Sequence, residues 1–334
     1  MAIDAALENK NIAATNQSVD SAIASIEKLK TSVQGVIFGQ ENVIDLCLCA
    51  LLGGSHALLV GMPGLAKTLL VETIAKSCGL GFNRVQFTPD LMPSDILGSE
   101  VLETDDKGGR NFRFINGPIF TQILMADEIN RASPKTQAAL LQAMQERKVA
   151  INGINHDLPK PFHVLATQNP IEHEGAYPLP EAQLDRFLLE INVPYPDEEA
   201  EKQVLINTTG TQSDKAFNPL DSDELLALQA LVRSMPTSEK IIDKVLNIVR
   251  NLRPQTTKFE KVKTSLEWGP SPRAGQAIIL AAKSHALLRG HLAPTLEDVN
   301  FVAKSALNHR MSLNWNGRSS GASKSELIDM VFDD

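Results

Sequence analysis

Gly61-Met62-Pro63-Gly64-Leu65-Ala66-Lys67-Thr68, set between the apolar run His56 to Val60 and the helical run Leu69-Leu70-Val71-Glu72-Thr73-Ile74, is the stretch that decides the fold. Small residues let the chain curl tightly, and a loop opening a helix points backbone N–H groups at an anion, where the helix dipole adds its own attraction. The stretch nearly matches the phosphate-loop pattern G-x-x-x-x-G-K-[ST], in the strand-to-helix setting that the pattern requires. On this reading Gly61 to Leu69 cradle a nucleotide, Lys67 neutralises its β and γ oxygens, and Thr68 ligates Mg²⁺. Ala66 stands where the general pattern has Gly, so the backbone there must tolerate a Cβ. The competing reading is an accidental Gly/Pro turn carrying a surface lysine.

Working outward, Ile123-Leu124-Met125-Ala126-Asp127-Glu128 is an apolar run ending in two carboxylates, as expected at the C-terminal end of a buried strand. Ligands of open α/β sheets bind at that edge. Asp127 would hold Mg²⁺ through its water shell, and Glu128 would polarise the water that attacks a γ-phosphate. The plainer alternative is a solvated Asp-Glu pair capping the next helix. His163-Val164-Leu165-Ala166-Thr167 delivers Gln168-Asn169-Pro170 to the same edge, where Asn169 either hydrogen-bonds the phosphate or water, or simply forms the turn before Pro170. Arg186, just ahead of the last strand, and Arg273, opening a helix after Pro272, would each pass for a surface charge if taken alone.

Between Gly39 and Val193, five β-rich runs alternate with helical patterns: Ala57 to Val60, Val85 to Phe87, Ile123 to Ala126, His163 to Thr167 and Leu188 to Val193. That alternation predicts an α/β core whose parallel five-stranded sheet is wrapped by helices. Ser133 and Pro134 mark a helix start as N-cap and first-turn residue. After Pro194 and Pro196 strand signals nearly vanish, and the apolar faces Leu225-Leu228-Leu231, Ile241-Val245-Ile248-Val249 and Ala277-Leu280-Ala281-Leu287 predict a small all-helical domain. The expected divisions are a tail and helix over 1–34, the α/β core over 35–195, the helical domain over 196–316 and a C-terminal tail over 317–334. The tail's apolar patch, Leu327-Ile328-Met330-Val331-Phe332, would dock either on the body or on a neighbouring subunit.

Composition narrows the function. The 32 basic and 40 acidic residues of this 334-residue chain give a net charge of -8, which argues against a general footprint for nucleic acid or anionic membrane. The opening Met1 to Glu8 shows no basic segment followed by an apolar one, so export is not expected. The uncharged run between Asp45 and Lys67 is broken by Gly53, Gly54, Gly61, Pro63 and Gly64 and reads as helix, turn, strand and loop rather than a membrane span. Cys47, Cys49 and Cys78 form no CxxC pair, fitting buried thiols in a reducing compartment, with the cytosol expected. Glu172-His173-Glu174 reads as a solvated polar loop rather than a metal site.

Taken together, the phosphate loop, the Asp127-Glu128 strand end, Asn169 and the two arginines arrive in the order of the ring-forming AAA+ ATPases, and the chain more narrowly resembles the MoxR family. That family's loop reads G-x-P-G-x-A-K-T, which makes Ala66 a family mark. The resemblance runs from about Val36 to Leu307 and includes Phe87-Thr88-Pro89-Asp90-Leu91-Met92-Pro93-Ser94-Asp95, Asp127 to Ala132, Ala166 to Pro170 and Tyr177 to Phe187. It departs from the family at His173 and Pro270. The resemblance implies a P-loop core followed by a helical lid, ATP and Mg²⁺ as ligands, sensor 1 for Asn169 and a trans-acting arginine finger for Arg186. It also implies sensor 2 for Arg273, reaching the γ-phosphate from the lid, and adenine-side contacts for Ile37, Phe38 and Gly39 beside Gln40. A helix insert over Asp90 to Pro118 and a hairpin over Glu146 to Pro161 resemble the same clade, and Asn152-Gly153 supports the hairpin independently.

The expected activity is Mg²⁺-dependent hydrolysis of ATP by a hexameric ring that remodels or matures protein clients, the resemblance implying partners with von Willebrand factor A domains. Two alternatives stay open: a DNA-dependent AAA+ translocase, disfavoured by the acidic balance, and a nucleotide-gated scaffold with little turnover.

Overall fold

Alternating side chains explain how one sheet serves two cores. In the computed structural model, which describes residues 20–104, 110–171, 176–209 and 220–333, the strands run β1 (Ala57–Val60), β2 (Phe82–Gln86), β3 (Gly98–Thr104), β4 (Arg110–Asn116), β5 (Ile123–Asp127), β6 (Lys148–Ile151), β7 (Ile154–Asp157), β8 (His163–Gln168) and β9 (Leu189–Asn192). Five of them form the central sheet in the order β2-β5-β8-β1-β9, every neighbouring pair parallel. Ala57, Leu59, Ile123, Met125, Leu165 and Ile191 enter one apolar cluster, while Leu58, Leu124, Ala126, Val164 and Ala166 enter the other. This is the period of two expected of strands buried on both faces.

The helices of the first part are α1 (20–34), α2 (Glu41–Leu52), α3 (Lys67–Ser77), α4 (Pro93–Leu97), α5 (Pro134–Glu146), α6 (Glu181–Leu184) and α7 (Glu198–Thr209). Ser133 caps α5 by accepting from the Thr136 N–H, with Pro134 in the first turn, as the sequence predicts. The second part holds α8 (Ser222–Ser234), α9 (Glu239–Asn251), α10 (Glu260–Ser265), α11 (Pro272–Leu288), α12 (Leu296–Leu307), α13 (Trp315–Ser319) and α14 (Lys324–Phe332). It is helical, as expected, with one short two-stranded antiparallel ribbon of β10 (Leu266–Trp268) and β11 (Ser312–Leu313). Leu327, Ile328 and Val331 of α14 are buried against the body, so the C-terminal patch docks on its own chain.

Two stretches depart from the sequence reading. The second strand begins at Phe82 rather than Val85 because it pairs with β5 from Phe82↔Ile123 to Gln86↔Asp127; as an edge strand it exposes Asn83, Arg84 and Gln86, which hides the apolar signal. Among the described residues, the expected helix insert over Asp90 to Pro118 holds one short helix, α4, followed by the antiparallel pair β3–β4. Two glycines let this hairpin close on α4, since a Cβ on Gly98 would lie 2.2 Å from the Ile115 carbonyl and one on Gly117 2.2 Å from that of Ile96. The β6–β7 hairpin forms as predicted, with Asn152 and Gly153 at φ 47° and 83° in the turn. Asn152 Nδ2 donates to Glu100 Oε2 at 2.6 Å, tying the two hairpins together.

The lid packs on the α2 side of the sheet. A single apolar cluster runs from Leu46, Leu48 and Leu52 of α2 through Leu225, Val245, Ile278, Ala281, Val302 and Leu327.

Candidate functional site

The loop after β1 closes a cavity of about 470 Å³ at the C-terminal edge of the sheet, bordered by Pro63 to Leu69, Arg84, Asp127, Glu128, Thr167 and Asn169. That volume lies in the range of small-ligand sites. Ala66 sits at φ 55°, ψ 21°, the left-handed conformation that a glycine would otherwise take, and Gly64 at φ +83° has nothing within 4 Å of its missing Cβ. Gly61 is required for packing, since a Cβ there would meet the Val193 carbonyl at 2.8 Å. Lys67 opens α3, and its Nζ donates to the Gly61 and Met62 carbonyls at 2.6 and 2.7 Å. Burial pulls its pKa down, opposed by the charges of Asp127 and Glu128.

The strand end is held by its neighbours. Thr167 Oγ1 donates to Asp127 Oδ1 and accepts from the Glu128 N–H at 2.8 Å, so one hydroxyl fixes both acidic residues. Glu128 sits at φ 55°, with its Oε2 accepting from Gln86 Nε2 at 2.6 Å and from Arg131 Nη1 at 2.9 Å. Asp127 Oδ2 accepts from Arg84 Nε at 3.0 Å and Nη2 at 2.6 Å. Asn169 is buried and borders the same cavity. Ile37 is buried, and Gln40 Nε2 reaches the Leu65 carbonyl at 3.4 Å, so the Ile37-Phe38-Gly39 segment lies beside the loop without bordering the phosphate cavity.

Thr68 and Asp127 present a hydroxyl and a carboxylate to the same cavity, hard oxygen donors that suit Mg²⁺. Among the described residues no group of three or more His, Cys, Asp or Glu side chains is placed to hold a metal. A donor set this small fits an ion that takes its remaining ligands from water and phosphate. Glu172, His173 and Glu174 lie outside the described residues.

Arg186 and Arg273 are elsewhere. Together with His56, Met144 and Gln145 they line a cavity of about 160 Å³ at the N-terminal edge of the sheet. From His56 to Gly61 the chain takes five extended steps of about 3.3 Å, roughly 16 Å in all, which neither side chain spans. Arg186 Nη1 donates to the Leu141 carbonyl at 3.2 Å and to Gln145 Oε1, while its buried Nε–H has no partner among the described residues. Arg273 lies 3.6 Å from Asp185 Oδ2. Arg273, expected to reach the γ-phosphate from the lid, does not border the phosphate cavity of its own chain: lid packing against α2 puts it beside Arg186 instead.

Arg310 holds this shelf in place. Its buried guanidinium donates to Asp185 Oδ1 at 2.6 Å and to the carbonyls of Asp185, Phe187, Leu188 and Ala306, pinning the lid to the segment that carries Arg186. The sequence reading missed Arg84, Gln86, Arg131, Thr167 and Arg310. Arg84 and Gln86 share one face of β2, two residues apart, and that spacing next to a strand ending in Asp127 is the one available signal.

Comparison with known proteins agrees with this architecture. Residues 56–189 match the ATPase family associated with various cellular activities (AAA), and residues 259–330 match the AAA lid domain. The chain is 41% identical over 317 residues to Chaperone MoxR1 of Mycobacterium tuberculosis, covering 95% of this chain and 83% of that one. It belongs to the MoxR family of AAA+ ATPases. Protein MoxR of Paracoccus denitrificans is 30% identical over 308 residues, covering 87% of this chain and 89% of that protein. A crystal structure of a candidate ATPase from Cytophaga hutchinsonii superposes with a TM-score of 0.89 at 35% identity, covering 97% of this chain and 98% of that one. Within this MoxR architecture no helix among the described residues is long and apolar enough to cross a membrane.

Proposed function

We propose that the protein hydrolyses ATP in a Mg²⁺-dependent manner as a head-to-tail ring, expected to be a hexamer, and uses the cycle to remodel or mature protein clients. The observation that carries this reading is the separation of the site into two halves: a phosphate cradle with its acidic pair at one edge of the sheet, and an arginine pair with no cradle at the other. Head-to-tail contacts bring unlike faces together and close into rings.

In this reading Lys67 leaves the Gly61 and Met62 carbonyls for the β and γ oxygens, and the N–H groups at the start of α3 take the inner phosphates. Thr68 and Asp127 would hold Mg²⁺, which supplies charge neutralisation on the phosphate oxygens. Glu128, fixed by Gln86 and Arg131, polarises the attacking water, and Asn169 orients the water or the terminal phosphate. Ile37, Phe38 and Gly39 serve the adenine side. Arg186 and Arg273 stabilise the transferring phosphoryl charge in the neighbouring subunit's site, so hydrolysis depends on assembly.

The net charge of -8 favours protein clients over nucleic acid, and partners with von Willebrand factor A domains are the class we propose from the family resemblance. Buried, free Cys47, Cys49 and Cys78, with burial raising the first and last to about 12, fit a reducing cytoplasm.

The test is ATP turnover per subunit against protein concentration, with particle mass followed in parallel, for the wild type and Glu128→Gln. Turnover should rise with assembly and fall by about a hundredfold or more in the variant, with ATP binding retained. Turnover indifferent to assembly would overturn the shared site, and tight ATP binding without turnover would point to a gated scaffold.

A further inference from the structure

The phosphate cavity contains a second cation that neither the motif nor the comparisons assign. Arg84 projects from the edge strand β2, opposite Met125 in the register, and borders the same cavity as Lys67, Thr68, Asp127, Glu128 and Asn169. Both its bonds to Asp127 go to one oxygen, Oδ2, and its Nη2 also reaches Gln86 Oε1 at 3.0 Å. Its Nη1 has no partner among the described residues, and the side chain is half exposed to the cavity.

This arrangement conflicts with a loaded site. Oδ1 of Asp127 accepts from Thr167 and Oδ2 accepts both bonds from Arg84, so a metal's water shell competes with Arg84 for Oδ2. A divalent cation arriving there repels the guanidinium, while the polyphosphate arriving with it attracts it. The charged groups bordering the cavity are Lys67, Arg84, Asp127 and Glu128, which balance only when Arg84 is counted. Gln86 bridges Arg84 to Glu128, the water-positioning residue, which puts Arg84 at the outer phosphate end rather than the adenine end.

We propose that Arg84 is a γ-phosphate ligand of the ATP site, parked on Asp127 while the site is empty and transferred to the terminal phosphate when Mg²⁺ takes its place. The inference rests on the ATP reading above and deepens it. Lys67 and Arg84 are then both parked on protein oxygens in the empty site, and loading releases both. A guanidinium matches the oxygens of a terminal phosphate and its hydrogen bonds to an anion are among the stronger ones.

The experiment is equilibrium binding of ADP and of a slowly hydrolysed ATP analogue to the full chain, with Mg²⁺ and with EDTA, for the wild type, Arg84→Gln and Arg84→Lys. With Mg²⁺, Arg84→Gln should lose about tenfold or more in affinity for the ATP analogue while ADP binding stays within about twofold, and Arg84→Lys should recover part of the loss. With EDTA the difference between wild type and Arg84→Gln should shrink, because Arg84 then stays on Asp127. Retained ADP binding also certifies that the variant is folded. Equal losses for both nucleotides, or no loss for the ATP analogue, would overturn the assignment of Arg84. A wild type that binds neither nucleotide would overturn the ATP reading itself, a different result.

Discussion

The phosphate cavity and the arginine shelf are opposite in construction. The cavity is built at the ends of neighbouring parallel strands: a loop, two strand ends and one shared hydroxyl, with Lys67, Thr68, Asp127, Glu128 and Asn169 converging from adjacent strands. The shelf is built from long-range packing: Arg186 comes from the core, Arg273 from the lid, and Asp185 with Arg310 locks them together. The cavity has a cradle and an acidic pair, whereas the shelf has an arginine pair and no cradle. Each edge of one chain supplies what the other edge lacks.

The largest effect that tests this contrast is Arg186→Ala, which should cut turnover about a thousandfold, equivalent to about 4 kcal/mol, without weakening ATP binding. Mixing Arg186→Ala with Lys67→Ala should restore part of the activity, because a mixed interface pairs an intact cradle with an intact finger; a mixture that stays inactive would place both halves in one chain.

Next comes Arg310→Met. Removing a buried charge that satisfies Asp185 and four carbonyls should lower the unfolding free energy by about 3 kcal/mol in urea titration and reduce turnover with it. Unchanged stability would mean that the shelf is held by something else.

An effect that is small near neutrality and grows with acidity concerns the N-terminal edge of the sheet. Burial, helped by the neighbouring His163 charge, pushes His56 down to about 3, and burial likewise pushes His163 down to about 4, with Arg147 adding to both. In the unfolded chain these rings take up protons near pH 6.5, so between there and about pH 4 the unfolded state binds more protons. Stability should therefore fall as pH drops below about 6.5, by up to about 1.4 kcal/mol per histidine per pH unit, measurable as a declining melting temperature. His56→Gln should flatten that slope.

The same contrast explains what could be read in advance. The loop, the Asp127-Glu128 strand end, the Ser133 cap and the Asn152-Gly153 turn depend on residues within a few positions of one another, and each appears where the sequence places it. The start of β2 and the β3–β4 hairpin did not announce themselves, since an edge strand and an exposed ribbon bury too little to show a clean apolar period. Arg84 and Thr167 act on partners 43 and 40 residues away, and Arg310 on one 125 away, separations that no local pattern reports. The place of Arg273 was not legible, because that is decided by which side of the sheet the lid covers.

The apolar cluster joining α2 to the lid has a practical consequence for anyone wishing to divide this chain. A fragment ending after β9 would remove the lid's share of this cluster and present a fresh sticky face to solvent. A separately expressed piece should therefore keep the lid and α14 with the core.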